Sequence, residues 1–193
     1  MADNLAYQSD YAEETRSEIL NGIIVMMAPA SSTHTYVSGN IFYCLKRHLE
    51  GRQCVPFGDN LLVHLTEQDQ FIPDVMVVCD HSKIRQDGIY GAPDLVVEVL
   101  SPSTARNDRG YKKSAYESAG VREYWLVDAA HRSIEVYILE NGRFAVDNIC
   151  TLYSPEALSR MTDEEQAAIS TELHCHLYDD LVIPLEDIFS SPF

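Results

Sequence analysis

Short apolar runs separated by turn residues recur along this chain, and they predict a set of β-strands. One apolar run covers residues 94–101, and residues 71–79 form a second run that pairs naturally with it. Residues 133–139 and 144–147 are joined by Asn141-Gly142, a pair that strongly favours a tight hairpin turn. Together these segments predict a sheet.

Helical patterns lie between the strands. A serine or threonine at positions 31–33 can cap a helix that runs toward Leu49. A second helix covers about 108–118 and is ended by Gly120. From 154 to 170 the pattern is helical and acidic, and a charge run of this kind usually forms a solvated face.

The strand at 94–101 carries a carboxylate inside an apolar run. Because strand side chains alternate between two faces, Glu98 lies with Val96 and Leu100 on one face, while Leu95, Val97 and Val99 lie on the other. Both faces are largely apolar, which is typical of an interior strand. An unpaired charge there would cost several kcal/mol, so Glu98 needs a cation, a metal ion or a proton.

A second carboxylate, Asp74, stands at the head of the neighbouring apolar run. Two carboxylates on adjacent strands form a cluster of hard oxygen ligands of the kind that Mg²⁺ or Mn²⁺ accepts. Two structural alternatives remain open at this point: Asp74 as a turn or cap residue, and Glu98 as one half of a satisfied buried ion pair. Taken together, the two acids favour a site.

The helix at 108–118 brings a lysine to the same region. Lys112 shares the stripe that packs on the sheet with Ala115 and Tyr116, so its side chain is directed toward Glu98. Lys113 falls on another face with Arg109 and Glu117, where it is expected to be solvated and ion-paired. The alternative for Lys112 is that it extends to the rim of the helix.

These residues resemble the putative restriction endonuclease family within the PD-(D/E)XK nuclease superfamily. The resemblance spans roughly Arg16 to Val136. It is carried by residues 93–104, by Asp108, Lys112 and Tyr116, by residues 120–128 and 18–25, by His34, and by Ile72-Pro73-Asp74. It implies an α/β (α+β) fold with a restriction-endonuclease-like core, in which a mixed central β-sheet is flanked by helices.

The resemblance also implies a chemistry, namely magnesium-dependent cleavage of phosphodiester bonds in DNA. Asp74 and Glu98 would bind Mg²⁺ or Mn²⁺. The superfamily's usual lysine lies two residues beyond the strand acid, but that position is Leu100 here. Lys112 is the matching residue on the adjacent helix, and it would activate water or stabilise the transition state.

Three further residues receive roles by the same resemblance. Glu18 is a supporting catalytic acid, although beside Asn21-Gly22 it also fits a turn-flanking position. His34 and Arg109 are candidate substrate-binding residues. A homodimer is expected as well, mainly from the family and weakly from the exposed edges of the predicted hairpins.

The acidity of the chain is the main objection to a nucleic-acid partner. The formal net charge is −16, whereas neutralised phosphates provide most of the affinity for DNA. A metal cluster and a local rim can still supply positive charge where a phosphate lies. The candidates for that rim are Lys83, Arg85, Arg106 and Arg109. The competing interpretation is a nuclease-like binding or assembly module with weak or no catalysis.

Length and composition complete the expectations. No linker or repeat divides the 193 residues, which predicts one domain over 1–193, with a core at about 16–147 and an acidic helical C-terminal extension at about 154–193. The sequence shows no apolar run long enough to span a membrane, and its first residues lack the basic segment followed by an apolar segment that is typical of a signal peptide. A cytoplasmic protein without a membrane partner is therefore expected. The cysteines are odd in number and predict reduced thiols rather than disulfides or a zinc site. They are Cys44, Cys54, Cys79, Cys150 and Cys175.

Overall fold

The structure, a computed structural model, describes residues 16–190. Its strands are β1 Ser17–Leu20, β2 Ile23–Met26, β3 Val55–Gly58, β4 Val63–His64, β5 Gln70–Phe71, β6 Val75–Val78, β7 Ile84–Arg85, β8 Gly88–Tyr90, β9 Leu95–Val99, β10 Glu123–Asp128, β11 Ser133–Glu140, β12 Arg143–Thr151, β13 Glu172–His174 and β14 Val182–Pro184. Its helices are α1 Ser32–His48, α2 Ala105–Asn107, α3 Lys113–Ala119, α4 Pro155–Leu158, α5 Asp163–Ala167 and α6 Leu185–Phe189. A π-helical turn, Asp108–Lys112, joins α2 to α3, and His81–Lys83 forms a 3₁₀ turn.

The central sheet has six strands in the order β12-β11-β10-β9-β6-β3. Strands β9 and β10 run parallel, and the other neighbours are antiparallel, so the sheet is mixed as expected. The predicted pairing of the two apolar runs is confirmed, since β6 lies antiparallel to β9 with Val75 opposite Val97. The central position of β9 explains why both of its faces are apolar.

Helix α1 covers one face of the central sheet. Its Ser31 side chain accepts a hydrogen bond from the amide of His34, which confirms the predicted cap. Ile41 and Leu45 are fully buried and pack with Val97, on the β9 face that excludes Glu98. This packing fixes α1 across the strands that carry the candidate acids.

The opposite face is covered by α3 and by a second six-stranded sheet, ordered β2-β1-β5-β4-β8-β7. Val96 and Leu126 pack there with Tyr116 of α3. The helix ends at Gly120, whose φ of 90° lies in the left-handed region, as the sequence predicts. Glu98 therefore points into the space between the central sheet and α3.

The C-terminal region differs from the expected helical extension. Residues 154–170 form two short helices, α4 and α5, rather than one. Beyond them lie a hairpin of β13 and β14 and the helix α6, whose Leu185, Ile188 and Phe189 are buried in the main core beside α1. These segments are too short to show a clear period, and the acidic residues between the core positions obscured their apolar side.

The expectation that all cysteines are reduced is wrong for one pair. Cys54 and Cys79 form a disulfide, whereas Cys44, Cys150 and Cys175 are buried thiols. Val55 lies opposite Val78 in the β3–β6 ladder, so the adjoining cysteines come to face each other across the two strands. Their separation of 25 residues gave no signal in the sequence. Because disulfides are rare in a reducing cytoplasm, the cytoplasmic location stays a prediction.

Within residues 16–190, no helix combines the length and the apolar character needed to cross a bilayer.

Candidate active site

Glu98 lies buried near the C-terminal end of β9, with its side chain only 5% exposed. Its Oε1 accepts a hydrogen bond from the Tyr116 hydroxyl at 2.8 Å and lies 2.7 Å from the Lys112 Nζ. The predicted direction of the Lys112 side chain toward Glu98 is therefore confirmed. The buried ion pair that was the alternative interpretation of Glu98 is also present, with Lys112 as its partner.

The π-helical turn brings two charged residues inward together. Asp108 and Lys112 stand at its two ends, four residues apart, and both are buried. The Lys112 Nζ lies 3.6 Å from Asp108 Oδ1 and donates to Glu18 Oε1 at 3.0 Å. One ammonium group thus lies between three carboxylates, from β1, β9 and the turn itself.

Asp74 stands immediately before β6, where the chain passes from the second sheet into the central one. Its Oδ2 accepts the amide hydrogen of Val99 at 2.6 Å, and its Oδ1 lies 2.8 Å from His34 Nε2. The two contacts hold the carboxylate between the end of β9 and the start of α1. His34 is thus placed at the site, in contact with a candidate metal ligand.

Glu18 is a buried member of the same group. Its Oε1 accepts the amide hydrogen of Ile72 at 2.8 Å in addition to the bond from Lys112. Ile72 lies two residues before Asp74, so Glu18 ties β1 to the segment that positions this acid. The structure places Glu18 inside the site as well as beside a turn.

A cavity of about 510 Å³ opens over these residues. Five carboxylates line it, but among the described residues lining it only Arg16 and Lys112 are permanent cations. The acids are Glu18, Asp59, Asp74, Glu98 and Asp108. Arg16 is already bound to Asp59 at the rim, with one contact of 2.9 Å. The interior of the cavity therefore carries an excess of negative charge.

Burial and the close spacing of the carboxylates shift the pKa values of three residues of the site. Burial raises the pKa of Glu98 well above its usual range; Lys112 opposes that shift, and the charges of Asp108, Asp74 and Glu18 reinforce it. For Lys112, burial alone would lower the pKa, but the neighbouring carboxylates raise it above the ordinary value. Burial likewise acts to lower the pKa of His34, and the hydrogen bond and charge of Asp74 raise it on balance.

The donor set fits a hard divalent cation in its chemistry. Carboxylate oxygens are the preferred ligands of Mg²⁺ and Mn²⁺, and a divalent cation would offset the surplus charge. Among residues 16–190, no three His, Cys, Asp or Glu side chains converge closely enough to hold a metal ion by themselves. Mg²⁺ commonly keeps several waters and binds through one or two carboxylates, so Asp74 and Glu98 would suffice.

Other candidate residues lie elsewhere. Arg109 is absent from the cavity lining and pairs with Glu135 of β11 at 2.9 Å. Of the proposed basic rim, Lys83 donates to the Ala92 carbonyl, Arg85 stacks on Tyr90, and Arg106 does not line the cavity. The contacts of Lys83 and Arg85 are local to the β7–β8 hairpin, whereas that of Arg109 joins residues 26 apart along the chain.

Lys113 differs from its expected solvated state. Its Nζ lies 3.4 Å from the centre of the Tyr137 ring, and burial lowers the pKa of this lysine.

Two residues of the site had no predicted chemical role, Asp108 and Tyr116. The spacing of four residues between Asp108 and Lys112 was the available signal, since it places both side chains on one side of a helix.

Comparisons with known proteins agree with this fold. The model of the Uma2 family, described as putative restriction endonuclease, matches residues 3–170. Two uncharacterized proteins of Synechocystis sp., slr1290 and sll1609, are 31% and 30% identical over 132 and 126 residues. These matches cover 67% and 63% of this chain and 70% and 71% of the relatives.

A solved structure is also similar. It is the crystal structure of a putative nuclease belonging to DUF820 from Anabaena variabilis, with a TM-score of 0.64. The superposition covers 92% of this chain and 91% of that one, at 17% sequence identity. At that identity, the likeness establishes a shared nuclease-like fold.

Proposed function

The chain belongs to the Uma2 family of putative restriction endonucleases, and from this premise we propose that it is a divalent-metal-dependent endonuclease that hydrolyses phosphodiester bonds in DNA. The observation that carries the proposal is the cavity itself, where five carboxylates meet one buried lysine. A purely structural ion pair needs one acid for each base. The surplus of acids favours a site that is completed by a cation.

Asp74 and Glu98 would hold Mg²⁺ or Mn²⁺. When bound, such an ion polarises a phosphate, lowers the pKa of an attacking water and offsets charge on the leaving oxygen. The amide of Val99 and the ring of His34 keep the Asp74 carboxylate oriented toward the cavity. His34 would therefore position Asp74 in addition to meeting substrate.

Lys112 would stabilise the negative charge that develops on the phosphate in the transition state. Three carboxylates surround its Nζ, so the ammonium form is favoured over the neutral amine. A fixed cation in a buried site is far more effective than one in water, because nothing has to reorganise as the charge develops. Glu18 and Asp108 would hold this cation in place, which makes them supporting acids.

The test compares Glu98→Gln with the parent on plasmid and linear DNA, with Mg²⁺ or Mn²⁺. We expect cleavage to fall by more than about a hundredfold, since several kcal/mol of metal-based stabilisation would be lost. Glu172→Gln, an exposed acid on β13, is the matched control and should cleave like the parent. Calorimetric titration with Mn²⁺ should show binding by the parent and none by Asp74→Asn or Glu98→Gln.

Two results would overturn the proposal. The first is full cleavage by the Glu98→Gln variant, with circular dichroism showing that this variant has a native fold. The other is a parent protein that binds DNA but leaves it intact with either metal ion, which would establish the binding module instead.

A further inference from the structure

Helix α1 presents one stripe of side chains to the outside along its whole length. At 100° per residue, six exposed positions fall within a sector about 120° wide. They are Ser32, Thr35, Gly39, Tyr43, Lys46 and Arg47, which we call the α1 stripe. The opposite side of the helix is buried against the central sheet through Val37, Ile41 and Leu45.

The α1 stripe carries no carboxylate, and neither does any other position of α1. Asp and Glu account for 30 of the 193 residues, so a helix of 17 residues without one is unusual for this chain. The stripe is therefore a surface from which a polyanion is not repelled at close range. The catalytic cavity, by contrast, is strongly acidic.

Positive charge is concentrated at the far end of the stripe. Lys46 and Arg47 are exposed, and neither forms an ion pair with a residue that the structure describes. The Arg47 guanidinium lies 5.6 Å from the ring centre of Tyr43, whose side chain is 62% exposed. All three line a surface cavity of about 490 Å³, together with Arg52, which pairs with Asp180, and with Glu50, the single carboxylate among the described lining residues.

A simpler explanation covers part of this pattern. Basic residues in the last turn of a helix stabilise it through the helix dipole. That effect accounts for Lys46 and Arg47, but it does not require the remaining turns to lack acids, nor does it explain an exposed tyrosine beside the two cations. Gly39 is equally unexplained by packing, since a Cβ there would meet nothing within 4 Å while glycine costs a helix about 1 kcal/mol.

The start of α1 lies at the candidate active-site cavity, beside Ser32, the first residue of the stripe. Ser31, Thr33 and His34 at the start of α1 all line that cavity. From His34 to Arg47 the helix rises by about 20 Å, at about 1.5 Å per residue. The same length corresponds to about six base pairs of duplex, at about 3.4 Å per pair.

We propose that the α1 stripe binds the phosphate backbone of a nucleic-acid duplex on one side of the bond that is cut. The inference rests on the proposed nuclease function and extends it to the length and form of the substrate. Lys46 and Arg47 neutralise phosphates about six base pairs from the cavity. The hydroxyls of Ser32, Thr35 and Tyr43 donate to phosphate oxygens along the way. Gly39 lets the strand approach the helix closely.

The first experiment measures binding without cleavage. Fluorescence anisotropy is recorded on a labelled duplex of about 24 base pairs, with Ca²⁺ in place of Mg²⁺, over a series of NaCl concentrations. Lys46→Ala/Arg47→Ala should weaken binding by at least about tenfold near 0.1 M salt and reduce the slope of log K against log salt by about 2.

The matched control is Arg160→Glu. Arg160 is exposed and distant along the chain from α1, and its reversal removes two units of positive charge, as the double variant does, so both take the formal net charge from −16 to −18. The control should bind like the parent. Equal weakening in both variants would attribute the effect to total charge and overturn the inference, as would unchanged binding by the double variant.

The second experiment measures kcat/KM for cleavage as a function of arm length, which is the number of base pairs between the cut and the end of the duplex. On duplexes that extend well beyond about six base pairs from the cut, the double variant should have a lower kcat/KM than the parent. On arms of about three base pairs the two proteins should be equal, because the short arm never reaches Lys46 or Arg47. A constant ratio at every length would overturn the inference.

These readouts keep the two proposals separate. A parent that fails to cleave any DNA refutes the nuclease function, while the anisotropy result still decides whether the stripe binds a duplex. A second copy of the chain is the alternative partner for the stripe, and light scattering on the double variant tests it. A molar mass that differs from that of the parent would show that the stripe joins two copies, and would overturn the assignment to nucleic acid.

Discussion

A single ammonium group, that of Lys112, lies within 3.6 Å of carboxylate oxygens from Glu18, Glu98 and Asp108. Breaking a buried ion pair by removing one partner costs about 3–5 kcal/mol, because the remaining charge is left uncompensated. Lys112 therefore contributes both to the stability of the metal-free protein and to the proposed chemistry. Its neighbour Lys113 pairs with none of these three carboxylates, and its Nζ lies over the ring of Tyr137 instead.

This contrast gives the first prediction. Lys112→Met should lower cleavage by more than about a hundredfold and lower the free energy of unfolding by about 3 kcal/mol. Lys113→Met should keep cleavage within about twofold and lose at most about 1 kcal/mol, the value of its contact with Tyr137. Single-turnover kinetics and urea unfolding measure the two effects. Equal losses of activity in both variants would mean that Lys112 has no special place in the site.

A second prediction concerns the effect of low pH on stability through the exposed ion pair between Arg52 and Asp180. The hydrogen bond from Arg52 lowers the pKa of Asp180 from 3.8 to about 2. Because the folded pKa lies below the unfolded one, the pair stabilises the fold above about pH 4, and the contribution is lost as the pH falls toward 2. The group is exposed, so the effect is small and is screened by salt.

Thermal unfolding between about pH 3 and pH 7 tests this sign. Asp180→Asn should melt below the parent near neutral pH, and the gap should narrow on acidification. The adjacent Asp179→Asn carries the same change of charge and should show no such trend. A gap that widens in acid would contradict the assignment.

The residue scale also shows which contacts a sequence can predict. Lys112 and Glu98 were predicted to meet because strand and helix periods fix the direction of each side chain before any tertiary contact is known. The bond between His34 and Asp74 was not predictable, since it joins residues 40 apart through the packing of α1 on the sheet. The ion pair between Arg109 and Glu135 was not predictable for a related reason, because the two residues meet only once β11 has paired.

At the scale of elements, strong local signals were reliable and weak ones were not. Asn141-Gly142 predicted the β11–β12 hairpin, and both residues adopt the left-handed conformation that such a turn requires, with φ of 51° and 77°. The segments β13, β14 and α6 contain three to five residues each, too few to show a period. Their role in the core follows only from tertiary packing.

That role gives a third prediction. Leu185 is fully buried at the start of α6, so Leu185→Ala should cost about 2–5 kcal/mol through lost burial and the cavity left behind. Val182→Ala, at an exposed position of β14, is the matched control and should cost less than about 0.5 kcal/mol. Chemical denaturation measures both. Similar small losses would show that the C-terminal elements are dispensable for the core.

At the scale of the whole molecule, the negative charge is distributed unevenly. The surplus of acids is concentrated in the candidate active-site cavity and on the C-terminal elements, whereas α1 has none. A net charge of −16 therefore describes the long-range field of the protein but not the surface that a ligand would meet. Composition gave the total and could not give this distribution, which depends on how α1 lies on the sheet.

The fourth prediction is the homodimer expected from the family. Strand β2 is the edge of the second sheet and exposes Ile23, Ile24 and Met26 by 65%, 67% and 56%. Two copies of such an edge can pair antiparallel about a two-fold axis. Light scattering at micromolar concentration should report a dimer, and Ile24→Lys should convert it to a monomer.

Val146→Lys is the control for that experiment. Val146 is 56% exposed on β12, the edge of the other sheet, and its substitution should leave the dimer intact. A parent protein that is monomeric at this concentration would contradict the prediction. A dimer that is lost only in the Val146 variant would place the contact on β12 instead.

The contact between α1 and α6 has a consequence for the life of the nascent chain. Asn40 donates a hydrogen bond to the carbonyl of Ile188, 148 residues later, and α6 completes the apolar cluster around α1. At synthesis rates of about 5–20 residues per second, about 7–30 s pass between the appearance of one partner and that of the other. During that interval Ile41 and Leu45 lack part of their cover. Completion of the core thus waits for α6, and a ribosome stalled before residue 185 would hold an aggregation-prone chain.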